Sequence, residues 1–325
     1  MGDTIQDRLT AYLTDAHSIE EQALAQLRSI PDMDAPKLTA ALHEHLPETE
    51  GHERAVKQLL EGRDAGPSWF KDAVMKLGGK GFVLFAKLNP DTPGKLLAHA
   101  LSYEALEEAS YSLLAIVAGE AGETDVVREA DRIRAEEIGM EDRLSDCFDE
   151  CVEASLKAVG RDDLSEQLAR YLADAHAIEQ QAIGLLERGA DRLSGPLADA
   201  FQHHLVETQD QAESVAARLD ALGRDPSTLK DSLMRAGAFN WATFFQAHPD
   251  TPGKLAGFAY AFEHLEIGGY EQLKRVAVRA GDTETAQLAE RILDQERTAA
   301  TTLKGLFPDA VQLALAETGT ATRQT

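Results

Sequence analysis

Glutamates recur in this chain where helical spacing calls for apolar residues. Leu9, Tyr12, Leu13, Ala16, Ile19, Ala23 and Leu27 form one such stripe, and Glu20 falls inside it. A second stripe, Leu38, Ala41, Leu42, His45, Glu48, His52 and Val56, carries a glutamate and two histidines. A third, Leu96, Ala100, Tyr103, Glu104, Glu107, Tyr111 and Leu114, carries two glutamates, and a fourth, Ala130, Ile133, Glu137 and Leu144, carries one. A carboxylate buried alone must protonate, pair with a cation or bind a metal. Several converging in one core would repel one another unless positive charge stood among them. No Lys or Arg occupies these stripes. A pair of metal ions would supply the charge, and carboxylate with imidazole suits iron or manganese.

The same pattern returns 159 residues later. Tyr12-Leu-Thr-Asp-Ala-His-Ser-Ile-Glu20 reappears as Tyr171-Leu-Ala-Asp-Ala-His-Ala-Ile-Glu179, and Pro90-Asp-Thr-Pro-Gly-Lys95 as Pro249-Asp-Thr-Pro-Gly-Lys254. Lys71-Asp72 with Lys230-Asp231, and Glu48-Thr49 with Glu207-Thr208, keep the same offset. A constant spacing without insertion means two adjacent copies of one domain, and the period is too long for a solenoid repeat. The second copy therefore offers Glu179, Glu207, Glu263, Glu266 and Glu296 at the positions of Glu20, Glu48, Glu104, Glu107 and Glu137.

Four helices per copy must position these residues, since period-2 alternation with β-branched residues is scarce. Pro93 suits the first turn of the third helix. A longer connection, residues 62–92, joins helices two and three and is expected to carry a helix of its own, giving an all-α bundle with one long crossover. The expected domains are residues 1–158 and 164–318, joined through a short polar linker near Gly160–Asp163, with a frayed tail at 319–325. Two copies joined so closely are expected to pack as a pseudo-twofold dimer, with further homo-oligomerisation left open.

Composition narrows the function classes. Of 325 residues, 43% are hydrophobic and 27% charged, the profile of a globular protein. The net charge of −24 argues against a nucleic-acid surface and fits either simple solubility or attraction of cations. No apolar run, the longest near residues 81–88, approaches a membrane span. The N-terminus has no basic region followed by an apolar stretch, and Cys147 and Cys151 make no disulfide framework, so a cytoplasmic location is expected.

Tyr103-Glu-Ala-Leu-Glu-Glu-Ala-Ser-Tyr111 and Phe262-Glu-His-Leu-Glu-Ile-Gly-Gly-Tyr270 resemble the third helix of the ferritin-like YciE/YciF family of bacterial stress-associated proteins. His45-Leu-Pro-Glu-Thr-Glu-Gly-His52, His204-Leu-Val-Glu-Thr208 and Ile19-Glu-Glu-Gln22 resemble its second and first helices. The resemblance covers nearly all of each copy apart from the crossover, and the Pro-Asp-Thr-Pro-Gly-Lys segment is foreign to it. It implies two tandem ferritin-like four-helix bundles and a di-iron or di-manganese centre that handles oxygen or peroxide. The implied ligands are Glu20, Glu48, Glu107 and Glu137, with Glu104 and His52 in addition, then Glu179, Glu207, Glu266 and Glu296, with Glu263 in addition. The competing reading is a non-catalytic helical scaffold with protonated or hydrogen-bonded glutamates.

The chain departs from the di-iron pattern, which carries Glu-x-x-His on two helices. Glu48 is followed three positions on by Gly51, Glu207 by Asp210, Glu137 by Met140 and Glu296 by Ala299. His52 becomes Gln211 and Glu141 becomes Ala300, so the second copy is poorer in ligands. His17, His176, His45 and His204 read as hydrogen-bond partners of carboxylates or as residues orienting a ligand. Tyr111 and Tyr270 read as core tyrosines with satisfied hydroxyls or as redox neighbours. Cys147 and Cys151, a turn apart near the end of helix four, have no counterpart thiols and read as incidental. Gly78-Gly-Lys-Gly81 lacks the spacing of a phosphate loop.

Overall fold

The computed structural model describes residues 4–30, 33–63, 92–159, 164–224 and 251–317. Among them are ten helices and no strand. The first copy comprises α1 (Ile5–Leu27), α2 (Pro36–Leu60), α3 (Thr92–Glu120), α4 (Thr124–Ser145) and α5 (Phe148–Val159). The second repeats them as α6 (Leu164–Ala190), α7 (Gly195–Ala221), α8 (Thr251–Ala280), α9 (Thr283–Gly305) and α10 (Phe307–Glu317). The first four helices of each set form a four-helix bundle. The helix expected in the crossover, the linker, the 319–325 tail, Lys71-Asp72 and the Gly78–Gly81 segment concern residues outside the described ones.

Local signals set the helix ends. Thr4 and Asp7 form a reciprocal capping box at α1, with Thr4 Oγ1 accepting from the Asp7 amide at 3.2 Å and Asp7 Oδ2 accepting from the Thr4 amide at 2.7 Å. Pro36 opens α2, where its missing amide hydrogen costs nothing. The turn between third and fourth helices is the same in both copies. Gly122 and Gly281 adopt φ of 74° and 72°, and the next residues, Glu123 and Asp282, donate back to Ala118 and Ala277 carbonyls at 2.9 Å. Glycine is favoured there because a side chain at positive φ meets the backbone.

One expectation needs correction. The fourth helix ends at Ser145, Cys147 lies in the following turn, and Cys151 belongs to the separate helix α5. The break lets Phe148, Cys151, Val152 and Leu156 fold back over α3, and α5 also touches α8 of the other copy. Phe307, Ala310, Val311 and Leu315 of α10 do the same against α8 and α3. Both thiols are free and buried, and Cys147 Sγ donates to the Arg143 carbonyl at 3.3 Å, so they serve as core residues.

The two copies meet along α3 and α8 as a pseudo-twofold pair. A Cβ on Gly268 would lie 3.0 Å from Ala98, and one on Gly257 would lie 3.6 Å from Ala109. These are mirrored contacts, since 98 and 257, like 109 and 268, are equivalent positions. Ser102 Oγ donates to the carbonyl of Ala261, its own counterpart, at 2.7 Å. The duplicated Pro-Asp-Thr-Pro-Gly-Lys segment finds its purpose here. Lys95 pairs with Asp174 at 3.3 Å and Lys254 with Asp15 at 2.8 Å, each joining that motif to the Tyr-Leu-x-Asp-Ala-His motif of the opposite copy. The apolar core runs across the seam, from Leu9 and Tyr12 to Leu255 and Tyr260.

Gly268→Leu would drive a side chain into the backbone of α3 at Ala98. It is expected to lower stability by about 1–3 kcal/mol. Gly139→Ala, on a helix face with open space, is expected to raise it by about 0.5–1 kcal/mol. Denaturant midpoints of the two variants check both signs; a neutral Gly268→Leu would mean the seam is looser than these contacts require.

Candidate metal centre

The glutamates converge midway along each bundle, between two apolar layers. In the first copy Leu9, Leu13, Val56, Val117 and Ile133 pack on one side, and Leu27, Leu38, Leu42, Leu97 and Leu144 on the other. One atom from each of His45, Glu104, Glu107 and Glu137 lies within 4.8 Å of the others, and Glu20, His52 and Glu137 form a second such group. Glu137 belongs to both. All six residues are buried.

His45 Nε2 lies 3.3 Å from Glu104 Oε2 and 3.4 Å from Glu137 Oε2. His52 Nδ1 lies 2.8 Å from Glu137 Oε1 and 3.7 Å from Glu20 Oε1. Each histidine is held from behind by a carboxylate that is itself held by an arginine. Glu48 Oε2 sits 2.9 Å from His45 Nδ1 and 2.6 Å from Arg143 Nη2. Glu136 Oε2 sits 2.6 Å from His52 Nε2, and Glu136 Oε1 sits 2.7 Å from Arg132 Nη1. Such carboxylate–imidazole pairs fix the ring and aim its other nitrogen inward.

The structure thus brings together Glu20, His52, Glu104, Glu107 and Glu137 of the expected ligands, and in the second copy Glu179, Glu263, Glu266 and Glu296. It does not bring Glu48 or Glu207 among them. Both stand outside the cluster, behind His45 and His204, with roughly a third of each side chain exposed. The buried face of α2 runs His45, Thr49, His52, Val56, so Thr49 takes the place that a three-residue step would give Glu48. His45 and His204 belong in the cluster itself. His17 pairs with Glu53 at 3.0 Å, away from the cluster, as a hydrogen-bonded histidine. The Tyr111 hydroxyl donates to Glu20 Oε1 and that of Tyr270 to Glu179 Oε1, so both are satisfied core tyrosines touching a candidate ligand. Glu136 escaped sequence reading because it stands beside the buried stripe.

Second-copy geometry differs at one end. One atom from each of His204, Glu263, Glu266 and Glu296 again lies within 4.8 Å of the others. His204 Nε2 lies 2.8 Å from Glu263 Oε2 and 3.3 Å from Glu296 Oε2. At the place of His52, the Gln211 amide donates to Glu296 Oε1 at 2.6 Å and to Gln295 Oε1 at 3.3 Å. Gln295 replaces Glu136, so the histidine and its supporting carboxylate have both become neutral amides.

No Lys or Arg pairs with Glu20, Glu104, Glu107 or Glu137 among the described residues, and the proton balance reflects this. Burial, then repulsion from Glu137, raises Glu20 to about 8. Burial raises Glu104 to about 7 against the pull of His45, and Glu107 is raised well above the usual carboxylate range by burial and its three carboxylate neighbours. Burial pulls His45 and His52 down, yet the facing carboxylates prevail and bring them to about 10 and about 9. Both oxygens of Glu107, and both of Glu266, are buried and accept no hydrogen bond.

The donor set fits a dinuclear centre. Bundle carboxylate di-metal sites use four glutamates and two histidines, two of the glutamates in Glu-x-x-His pairs. The first copy has the same inventory in a different distribution: both histidines come from α2, two turns apart, and α3 gives a Glu-x-x-Glu pair. The second copy has four glutamates and one histidine. The unmet oxygens of Glu107 and Glu266 are what a hard cation would satisfy.

The chain belongs to the family described as domain of unknown function DUF892, whose model matches residues 4–157 and again residues 163–316. The two matches are offset by 163 − 4 = 159 residues, the spacing of the repeat. No solved structure matches the chain.

A carboxyl whose folded value exceeds its unfolded one holds its proton more tightly when folded, so stability falls as pH rises from the unfolded through the folded value. Glu20 and Glu104 act this way from 4.5 upward. Raised histidines stabilise fully below the ordinary imidazole value of 6.5 and lose that effect as pH climbs toward about 10 and about 9. Metal-free protein should therefore melt lower at about pH 9 than at about pH 5.5, and Glu20→Gln should flatten the slope. Thermal scans with chelator present measure this; a level or rising melting temperature contradicts the proton balance.

Proposed function

We propose that this DUF892 protein is a ferritin-like metalloprotein of the bacterial stress-response type, whose first copy holds two iron or manganese ions and handles oxygen or peroxide. The observation that carries this reading is the buried set of four glutamates and two histidines, with both Glu107 oxygens unmet. Glu137, common to both ligand groups, stands where one carboxylate could serve two ions, with His45, Glu104 and Glu107 on one side and Glu20 and His52 on the other. When bound, the ions would supply electrons to oxygen or peroxide and neutralise the carboxylates.

The chain's own residues prepare that state. Glu48 and Glu136 hold the imidazoles in register, and the two arginines behind them keep those carboxylates ionised. Protons now shared among Glu20, Glu104, Glu107 and the histidines must leave when cations enter, so binding would strengthen with pH. The Tyr111 hydroxyl, donating to Glu20, is placed to steady that carboxylate or to pass a proton to it. Two free thiols suit the reducing cytoplasm in which we place the protein.

The second copy reads differently, and one observation favours a scaffold role at its degenerate end. Gln211 meets Glu296 by hydrogen bond and removes the need for a cation there. We assign this copy a single ion among His204, Glu263, Glu266 and Glu296.

Anaerobic reconstitution with ferrous iron, followed by metal analysis, tests both assignments. Wild-type protein should retain three ions per chain, one for each ligand group. Glu20→Ala should retain two, and Gln211→His combined with Gln295→Glu should retain four. Absence of bound metal in the wild type leaves the scaffold reading for both copies. Retained metal with no consumption of oxygen or peroxide removes the redox role and leaves the metal sites standing.

A further inference from the structure

A cavity of about 30 Å³ opens beside the first-copy cluster and ends on Glu104. Its wall is made by Ala23, Leu27, Leu42, Leu96 and Ala100. Gln26 and Ile30, both partly exposed, stand at its outer end near the close of α1. A site needs roughly 10–15 Å³ in this measure to admit one water-sized molecule, so the cavity has room for a diatomic. His99 and Tyr103 complete the lining. Burial pushes the His99 imidazole down to about 4, so it is neutral at physiological pH. The Tyr103 hydroxyl is engaged with the Ile19 carbonyl at 3.0 Å. The wall therefore carries no charge until Glu104.

The second copy makes this lining more aromatic and less polar. Leu42 becomes Phe201, His99 becomes Phe258 and Tyr103 becomes Phe262, while Ile30 becomes Gly189. The Phe201 ring lies against Gly189 so closely that a Cβ there would sit 2.6 Å from it, and Phe201 is fully buried. The ring uses the space that a residue at position 30 borders in the first copy. The copy with both histidines has Leu42 and Ile30 along this approach, and the copy with the Gln211 amide has the Phe201 ring against Gly189.

We propose that this cavity is a binding site and approach path for dioxygen, serving Glu104 and its neighbours in the first copy alone. Chemistry selects among small oxidants. A mostly apolar wall, whose polar groups before Glu104 are Gln26, His99 and the already engaged Tyr103 hydroxyl, favours dioxygen, which needs no hydrogen bonds, over hydrogen peroxide, which would give up several on leaving water. Anions such as superoxide or phosphate are disfavoured by the apolar wall and again by the carboxylates at its end. The inference rests on the dinuclear reading of the first copy for its purpose, but the cavity's occupancy does not require metal.

The first test uses metal-free, full-length protein with labelled methyl groups. Dissolved dioxygen is paramagnetic and speeds the relaxation of methyls it visits. Methyls of Leu42, Leu96 and Ala100 should respond several-fold more strongly than those of the equivalent Leu255 and Ala259. Equal responses in the two copies, or none, overturn the proposal whether or not the protein binds iron. In the second test, Leu42→Phe combined with Ile30→Gly imports the second copy's matched pair into ferrous-loaded protein. Iron content should be unchanged while dioxygen consumption slows several-fold; an unchanged rate at unchanged iron content overturns the path. If no iron binds at all, the dinuclear reading fails while the relaxation test still decides the cavity.

Discussion

Carboxylates that, among the described residues, pair with histidine but with no lysine or arginine sit at the middle of each bundle, and most of the structure answers to that constraint. Burying one ionised carboxylate costs several kcal/mol after relaxation, and neighbours within a few ångströms add repulsion. Apolar packing above and below fixes the helices, so the side chains cannot withdraw to water. What remains is to supply positive charge, as protons or as cations. Histidines raised to about 10 and about 9 and glutamates held protonated are the first solution, visible in the protein alone. The unmet oxygens of Glu107 and Glu266 mark where that solution is incomplete.

The third helices carry a double load. One face of α3 presents Glu104 and Glu107 to the bundle, and another presents Ala98 and Ala109 to α8 of the other copy. A helix packed on both sides loses the usual contrast between apolar and polar faces, and α3 is apolar nearly all round. The small residues at the crossing bring the two backbones close, which leaves α3 little freedom to shift. Rigid placement of the Glu-x-x-Glu pair thus follows in part from the seam, not from its own bundle alone. The Lys95–Asp174 and Lys254–Asp15 pairs tie the start of each third helix to the first helix of the opposite copy.

Much of this was legible in the sequence because the duplication supplied its own control. A stripe seen twice at one offset is a packing constraint, and Glu20, Glu107, Glu137 and their counterparts stood in such stripes. What escaped was finer than a stripe. Glu48 and Thr49 are adjacent, and both three- and four-residue steps from His45 are helical, so spacing alone could not decide which turned inward. The break before α5 carries no proline or glycine, only Asp146 and Cys147 in a run that could have stayed helical. It is set by tertiary packing of Phe148 and Cys151 on the core. His45 looked like a supporting residue because its role depends on two carboxylates from α3 and α4 that sequence proximity does not reveal.

The asymmetry between copies follows from the same constraint. At this end of the second copy, a buried carboxylate finds an amide partner where the first copy offers a histidine. Replacing His52 alone by an amide would have left the equivalent of Glu136 facing a neutral group, paired only through its arginine. In the second copy both positions are amides, and Gln211 bonds to Gln295 and Glu296 together. Leu42 and Ile30 differ as a pair in the same way, since the Phe201 ring fits only against a residue as small as Gly189. Each pair of differences restores local satisfaction, one of charge and one of volume.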